Sequence, residues 1–279
     1  MLDTANQNNH KNGDKKMLRS MYAGISGMKN FQTKLDVIGN NIANVNTTGY
    51  KKANVTFQDL MSQTTTGAQG ATATRGGVNA TQVGLGSQLG TISNIHTQGF
   101  QQVTNNPLDL TIEGDGMFVL QEQGGTTYYT RAGNFYLDDN GAIVNPNGLY
   151  LQGANGNITI PTDAQSFSIQ TDGTINYIDA AGATQEAGQI TLASFSNPAG
   201  LVKDGSNLYL DSPNAGYNGT VTPEQNGAAS IISGSLEMSN VDLSEEFTEM
   251  ITAQRGFQAN TRIITTSDEI LQELVNLKR

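Results

Sequence analysis

Cysteine is absent from all 279 residues, which excludes disulfides and thiolate metal sites. A chain of this kind can work outside the cell without redox chemistry. Tryptophan is also absent, aromatics make up 6%, and histidine occurs only at His10 and His96. Charged residues account for 14%, against roughly 25% in an average soluble protein. No lysine occurs between Lys52 and Lys203. With a net charge of −10 and no basic patch, nucleic acid is not an expected partner. No apolar run approaches the roughly 20 residues of a membrane span, and the N-terminus has no apolar signal-peptide core. Membrane insertion and a cleaved secretory leader are therefore not expected.

Motifs that carry chemistry are also scarce. No nucleophile elbow or phosphate loop occurs. His96 has no cysteine to share a metal with, so a structural role is expected of it, with no metal and no cofactor. Gly84-Leu85-Gly86-Ser87-Gln88-Leu89 starts like a dinucleotide fingerprint, but Leu89 stands at the third glycine position. Asp138-Asp139-Asn140-Gly141 would need an acidic residue where Tyr136 stands to be a calcium loop, so it reads as a hairpin turn. Glu113 and Asp115 flank a glycine in what reads as a tight turn. An enzyme would require a pocket that brings Glu113, Asp115 and Arg131 together; no catalysis is expected.

What the chain does contain is Asn, Gln, Ser, Thr and 32 glycines, arranged in three kinds of pattern. From Asn105 to Leu210 there is no helical period. Short strand patterns recur instead: Leu108 to Ile112 alternates with an apolar face, and Met117 to Leu120, Thr126 to Thr130, Asn134 to Leu137 and Ala142 to Val144 follow as strands. Ile158 to Ile160, Phe167 to Ile169, Thr174 to Ile178 and Ile190 to Phe195 follow, separated by Asn-Gly, Asp-Gly and Asn-Pro turns. This predicts an antiparallel barrel or sandwich. Before it, the chain from Val55 to about Gly99 is rich in Thr, Gly, Gln and Ala; a short strand starts the run, Leu89 to His96 ends it as another, and a long flexible loop or extended arm lies between. After it, residues 211–229 read as loop, and Ile231 to Met238 as a strand returning beside the early arm.

Both ends carry a helical seam. Met21, Met28, Leu35 and Ile42 recur every seventh residue, with Leu18, Ile25, Phe31 and Ile38 beside them. Leu243, Met250, Phe257, Ile264 and Leu271 do the same at the far end, with Phe247 and Val275 as companions. Turn formers at Asn46-Thr47-Thr48-Gly49 stop the first helix. Asp242 and Glu245 are spaced as a capping box, Glu246 adds charge to the first turn, and Lys278 and Arg279 close the second helix. Gly24, Gly27 and Gly39 each cost about 1 kcal/mol in a helix interior, which suits close approach of another helix. Two readings stay open on periodicity alone. The helices pair within one chain, or they bury their stripes against neighbouring copies.

The expected fold is α+β, with N- and C-terminal helices bracketing an inserted antiparallel all-β domain. Residues 17–50 and 240–279 form the helical part. Residues 51–98 and 212–239 form a connecting arm, and residues 99–211 form the β domain. Residues 1–16 are polar and unpatterned and are expected to be a disordered extension.

Two long stretches resemble the bacterial flagellar rod and hook family. AGISGMKNFQTKLDVIGNNIANVNTTGYKK is similar to its N-terminal signature, and LEMSNVDLSEEFTEMITAQRGFQANTRIITTSDEILQELVNL to its C-terminal one. NPLDLTIEGDGMFVL and YTRAGNFYLDDNGAIV extend the resemblance, which begins at Met17. It implies a tubular homopolymer whose terminal helices build the inner tube. The assembly residues would be Met21, Ile25, Met28, Leu35, Ile38, Ile42, Leu243, Phe247, Met250, Phe257, Ile264 and Leu271. It also implies export through the flagellar type III apparatus, with Phe57 and Met61 in a short export motif. The partners it implies are further copies, rod proteins, the hook cap and hook-filament junction proteins. Within the family, GISGMKNFQTKLDVIGNNIAN looks more like the hook, a flexible joint that transmits motor torque to the filament. The alternative is the distal rod, a rigid shaft. The chain is short for a hook subunit, and residues 63–86 stand where rod members carry a stiffening insertion. A secreted β-domain adhesin is the more distant alternative; its helices would pair stably within the monomer.

Overall fold

The structure, a computed structural model, describes residues 2–225 and 229–277, with side chains described from residue 19 onward except at 274 and 277. Its α+β architecture consists of an N-terminal helix α1 (Leu2–Ala43), a C-terminal helix α2 (Leu243–Leu277), and an antiparallel β region between them. α1 ends where Asn44 to Thr48 make turns and Gly49 takes a φ of +68°, a conformation that favours glycine. Residues 2–16 continue α1 instead of forming the expected disordered extension. That stretch has no proline and a single glycine, so a helix already nucleated downstream extends through it at little cost. The closing residues Lys278 and Arg279 lie outside the described residues.

One unit comprises residues 1–40, 53–93 and 243–279. Besides the two helices it holds a strand pair, Ala53–Asp59 with Ser87–Asn94. Thr56 and Thr91 face each other there, their hydroxyls 2.7 Å apart. Between these strands the chain is not a loose loop. Gln63–Thr66 pairs with Thr81–Val83, and the bridges Gln69↔Val78 and Thr72↔Arg75 carry the antiparallel ribbon to its tip. Threonine's β preference suits a ribbon, but every residue in it is exposed, so no apolar alternation announced it.

Residues 41–52 and 94–242 form the other unit. A ten-stranded antiparallel sheet dominates it. Val202–Gly205, Leu208–Leu210, Thr127–Thr130, Met117–Gln121, Tyr150–Gly153, Ile143–Val144 and Tyr136–Leu137 lie side by side in that order. Leu192–Phe195 also pairs with Met117–Gln121 and with Tyr217–Val221. Ser166–Ile169, Thr174–Ile178 and Thr184–Gln189 make a separate three-stranded meander. The main core includes Leu110, Ile112, Phe118, Leu120, Phe135, Ile143, Leu151, Ile175, Ile190, Leu192 and Ile231. Phe118 and Phe135 meet edge to face at 5.3 Å. Each such residue contributes about 1.5–3 kcal/mol by leaving water.

The expected strand from Ile231 to Met238 is two strands, Ser230–Ser233 and Ser235–Glu237, parted by Gly234 at φ +81°. They pair with Leu110–Glu113 and Gln101–Val103 rather than with the early arm. Ile231, opposite Ile112, is buried in the β core, and that burial sets the register. Residues 211–229, read as loop, contain the strand Tyr217–Val221. Polar residues fill most of it, which hid the period.

Candidate assembly helices and a buried ion cluster

The two helices run antiparallel against one another. Gly24 faces Ile264, Gly27 faces Asn260, and Phe31 faces Gly256. Lys34 reaches Glu249 at 3.1 Å, and Thr261 donates to Met28 Sδ at 3.4 Å. Small residues set how closely the backbones approach. A Cβ on Gly27 would lie 2.6 Å from Asn260 Nδ2, and one on Gly256 would lie 2.5 Å from Phe31 Cζ. Gly24 and Gly27 thus allow the close approach read from the sequence, whereas Gly39 has nothing within 4 Å.

The buried face of α2 is not its apolar heptad alone. Glu246, Ala253 and Ser267 are buried, and Met250, Phe257, Ile264 and Leu271 are half-buried. On α1, Ile38 is buried while Met21, Met28, Leu35 and Ile42 are half-buried. Ile25, Leu243 and Phe247 lie exposed, together with Tyr22, Ile251, Ile263 and Ile270, and Val275 is 64% exposed. Pairing within the chain therefore uses part of the apolar surface and leaves the flanks open to water.

The arm lies on α1. Ser26 Oγ accepts from Ser87 N, and Asn30 Nδ2 donates to Ser87 Oγ at 2.8 Å. Gly86, at φ +121°, has no room for a side chain there, since a Cβ would meet Ser26 Oγ. Phe57 packs its ring 6.4 Å from Phe31, while Met61 beyond it is 84% exposed.

In the β unit, the Asn41 to Lys52 stretch does more than end a helix. Tyr50 donates to Asn41 Oδ1 at 3.1 Å, and Gly49 donates its N–H to the Glu237 carbonyl at 2.8 Å. Gly49 lies against the Ala132 backbone, where a Cβ would come within 2.5 Å. Lys51 and Glu237 pair at 2.5 Å with side chains wholly buried. The other Glu237 oxygen accepts from Arg131 Nε at 2.9 Å, and Gly99 N–H donates to Oε1. Lys51 also donates to the Thr97 carbonyl, and Arg131 to the carbonyls of Gly114 and Gly116. Burial pulls the Lys51 ammonium below its ordinary pKa, opposed by the Glu237 charge. A cavity of about 30 Å³ adjoins the cluster, with Lys51, His96, Asp115 and Arg131 on its wall.

Two of the three residues that an active site would have needed, Asp115 and Arg131, do share that cavity; Glu113 is not on its wall. Arg131 spends its donors on Glu237 and two carbonyls, leaving it a structural tie. The Lys51–Glu237–Arg131 cluster was not singled out from the sequence. Its partners lie 106 and 186 residues from Glu237, so no local spacing links them. Among the described residues no helix is long and apolar enough to cross a membrane.

Comparison with known proteins adds three matches in chain order. Residues 21–51 match the flagella basal body rod protein family. Residues 111–177 match the flagellar hook protein FlgE/F/G D1 domain, and residues 232–277 the flagellar basal body rod FlgEFG protein C-terminal region. The chain is 60% identical over 265 residues to the flagellar basal-body rod protein FlgG of Bacillus subtilis, spanning 94% of this chain and 100% of that one. FlgG of Borreliella burgdorferi is 38% identical with the same coverage. The flagellar hook protein FlgE of Borreliella burgdorferi is 52% identical over 134 residues, 48% of this chain but 30% of the hook protein.

Proposed function

We propose that this chain, which belongs to the flagellar rod and hook protein family, is a subunit of the distal rod, the straight drive shaft of the flagellar basal body. The observation that carries this is coverage: similarity to rod protein FlgG spans 94% of this chain and all of that protein, while similarity to hook protein stops at 30% of the hook protein's length. The expectation of a hook subunit gives way to the rod for that reason. The helices that resembled the hook are shared by both branches, so they could not decide between them.

The role is mechanical and needs no catalytic group or cofactor. Copies associate through α1 and α2, covering the exposed Tyr22, Ile25, Phe247 and Ile251, and the Ile263, Ile270 and Val275 flank. Apolar stripes of this kind are unfavourable in water, which couples assembly to their burial. The ribbon from Gln63 to Val83 has no core of its own, and an isolated two-stranded ribbon is marginal in water. It gains order against neighbouring subunits and stiffens the shaft. Further copies, adjoining rod proteins and the hook are the partners. Export proceeds through the flagellar type III apparatus, with Phe57 and the exposed Met61 in the recognised segment.

An in-frame deletion in the native host tests the reading. Basal bodies isolated from that strain should carry a shortened shaft with no hook. A full-length straight shaft ending without a hook would return the chain to the hook.

A further inference from the structure

His96 is the unexplained residue of the β unit. Its Nδ1 and Nε2 are both shut off from solvent, and neither has a hydrogen-bond partner in the protein. The Tyr209 ring lies 5.7 Å away, tilted by 57°. The cavity that His96 shares with Lys51, Asp115 and Arg131 is large enough for one or two waters at about 10–15 Å³ each. A neutral imidazole has one donor and one acceptor, which two waters can satisfy, one at each nitrogen; an imidazolium has two donors and adds a positive charge that water in a closed cavity compensates poorly.

We propose that His96 is a proton-operated release for the Lys51–Glu237–Arg131 cluster, so that taking up one proton loosens the points where the chain enters and leaves the β unit.

The charges around His96 give the proposal its direction. Lys51, Lys203 and Arg131 all act on it, and all are positive. Glu237, the buried carboxylate of the cluster, is committed to Lys51, Arg131 and the Gly99 N–H. Asp115 is exposed, and Tyr209 is a buried neutral phenol. A charged ring would thus be a fourth cation beside a single buried anion. The segments that loosen are those the cluster and Asn240 tie. Lys51 holds Thr97 and Glu237, Glu237 holds Gly99, and Asn240 holds Lys52 and Ile95.

Burial and the three cations push the His96 ring from its ordinary 6.5 down to about 4. The folded state therefore prefers the neutral ring, and local opening takes up a proton. Opening is least favourable above pH 7 and rises as pH falls from 6.5 toward 4. By linkage, the opening constant grows about thirtyfold between pH 8 and pH 5, before most carboxylates titrate.

The test is amide hydrogen exchange of the full-length subunit, corrected for intrinsic rates and followed in peptides covering residues 49–52, 95–99 and 235–240. Between pH 8 and pH 5 the native chain should lose about thirtyfold more protection there than His96→Gln. Parallel curves for the two would overturn the proposal. If His96→Gln fails to fold, ring-labelled histidine NMR on His10→Gln, which leaves a single imidazole, decides. A midpoint near 4 together with the exchange response of the native chain supports the release, and a midpoint at or above 6.5 overturns it.

Discussion

Glu237→Gln is the most informative single substitution in the β unit. The side chain keeps its shape and loses its charge, so packing is unchanged and electrostatics carry the effect. Among the described residues Glu237 is the carboxylate that pairs with both Lys51 and Arg131, at 2.5 and 2.9 Å, with both cations buried. An amide can place its oxygen toward one of them, and its NH₂ then faces the donors of the other. Removing one member of a buried ion cluster costs about 3–5 kcal/mol, because the remaining charge stays out of water without compensation. At about 2–4 °C per kcal/mol for a chain of this size, the β unit should melt about 6–20 °C earlier. Urea unfolding followed by tyrosine fluorescence gives the free energy directly. Lys51→Met combined with Glu237→Gln should cost less than the sum of the two single changes, since it removes one stranded cation. A Glu237→Gln chain within about 1 kcal/mol of the native one, or strictly additive double-variant energies, would refute the reasoning.

Other substitutions separate packing from assembly. Gly27→Ala should be near neutral, because the atom in its way is the mobile end of Asn260, whereas Gly256→Ala meets the Phe31 ring and should lose about 1 kcal/mol after its better helix propensity is counted. Thermal melts of the two variants check the contrast. Phe247→Ser with Ile251→Ser should leave monomer stability within about 0.5 kcal/mol, since both are exposed, yet abolish polymerisation in sedimentation assays. Deleting residues 67–80 should leave the melting of the β unit unchanged and yield shafts that bend, visible in negative stain.

The legible parts of this fold were those where burial imposes a pattern. Met117–Gln121 is buried on both faces and shows as a short continuous apolar run, and Thr174–Ile178 packs one face on the core and alternates, so both were marked nearly to the residue. The helix seams were legible in the same way. The ribbon at Gln63–Thr66 and Thr81–Val83 was not, because nothing in it is buried and a wholly exposed strand needs no apolar alternation. The helix interface was half legible. The heptad picked out Met250, Phe257 and Ile264, but Ala253, Asn260 and Ser267 share their side of the helix and are small or polar. Read as hydrophobic pattern, that second row is invisible; Asn260 in it faces Gly24 and Gly27, and Gly256 farther along the helix makes room for Phe31. The Asn41 to Lys52 stretch carried the family signature, yet its role as the tie to Glu237 depends on residues brought together only by the strand pairing of Gln101–Val103 with Ser235–Glu237. A rod rather than a hook subunit is proposed from similarity across 94% of the chain, not from the shared helices.

Immunogold electron microscopy, with antibody against residues 105–210, tests the central claim on intact and membrane-stripped cells. The account predicts label on a straight shaft that appears only after stripping. Label on a short curved segment outside the envelope of intact cells would contradict it.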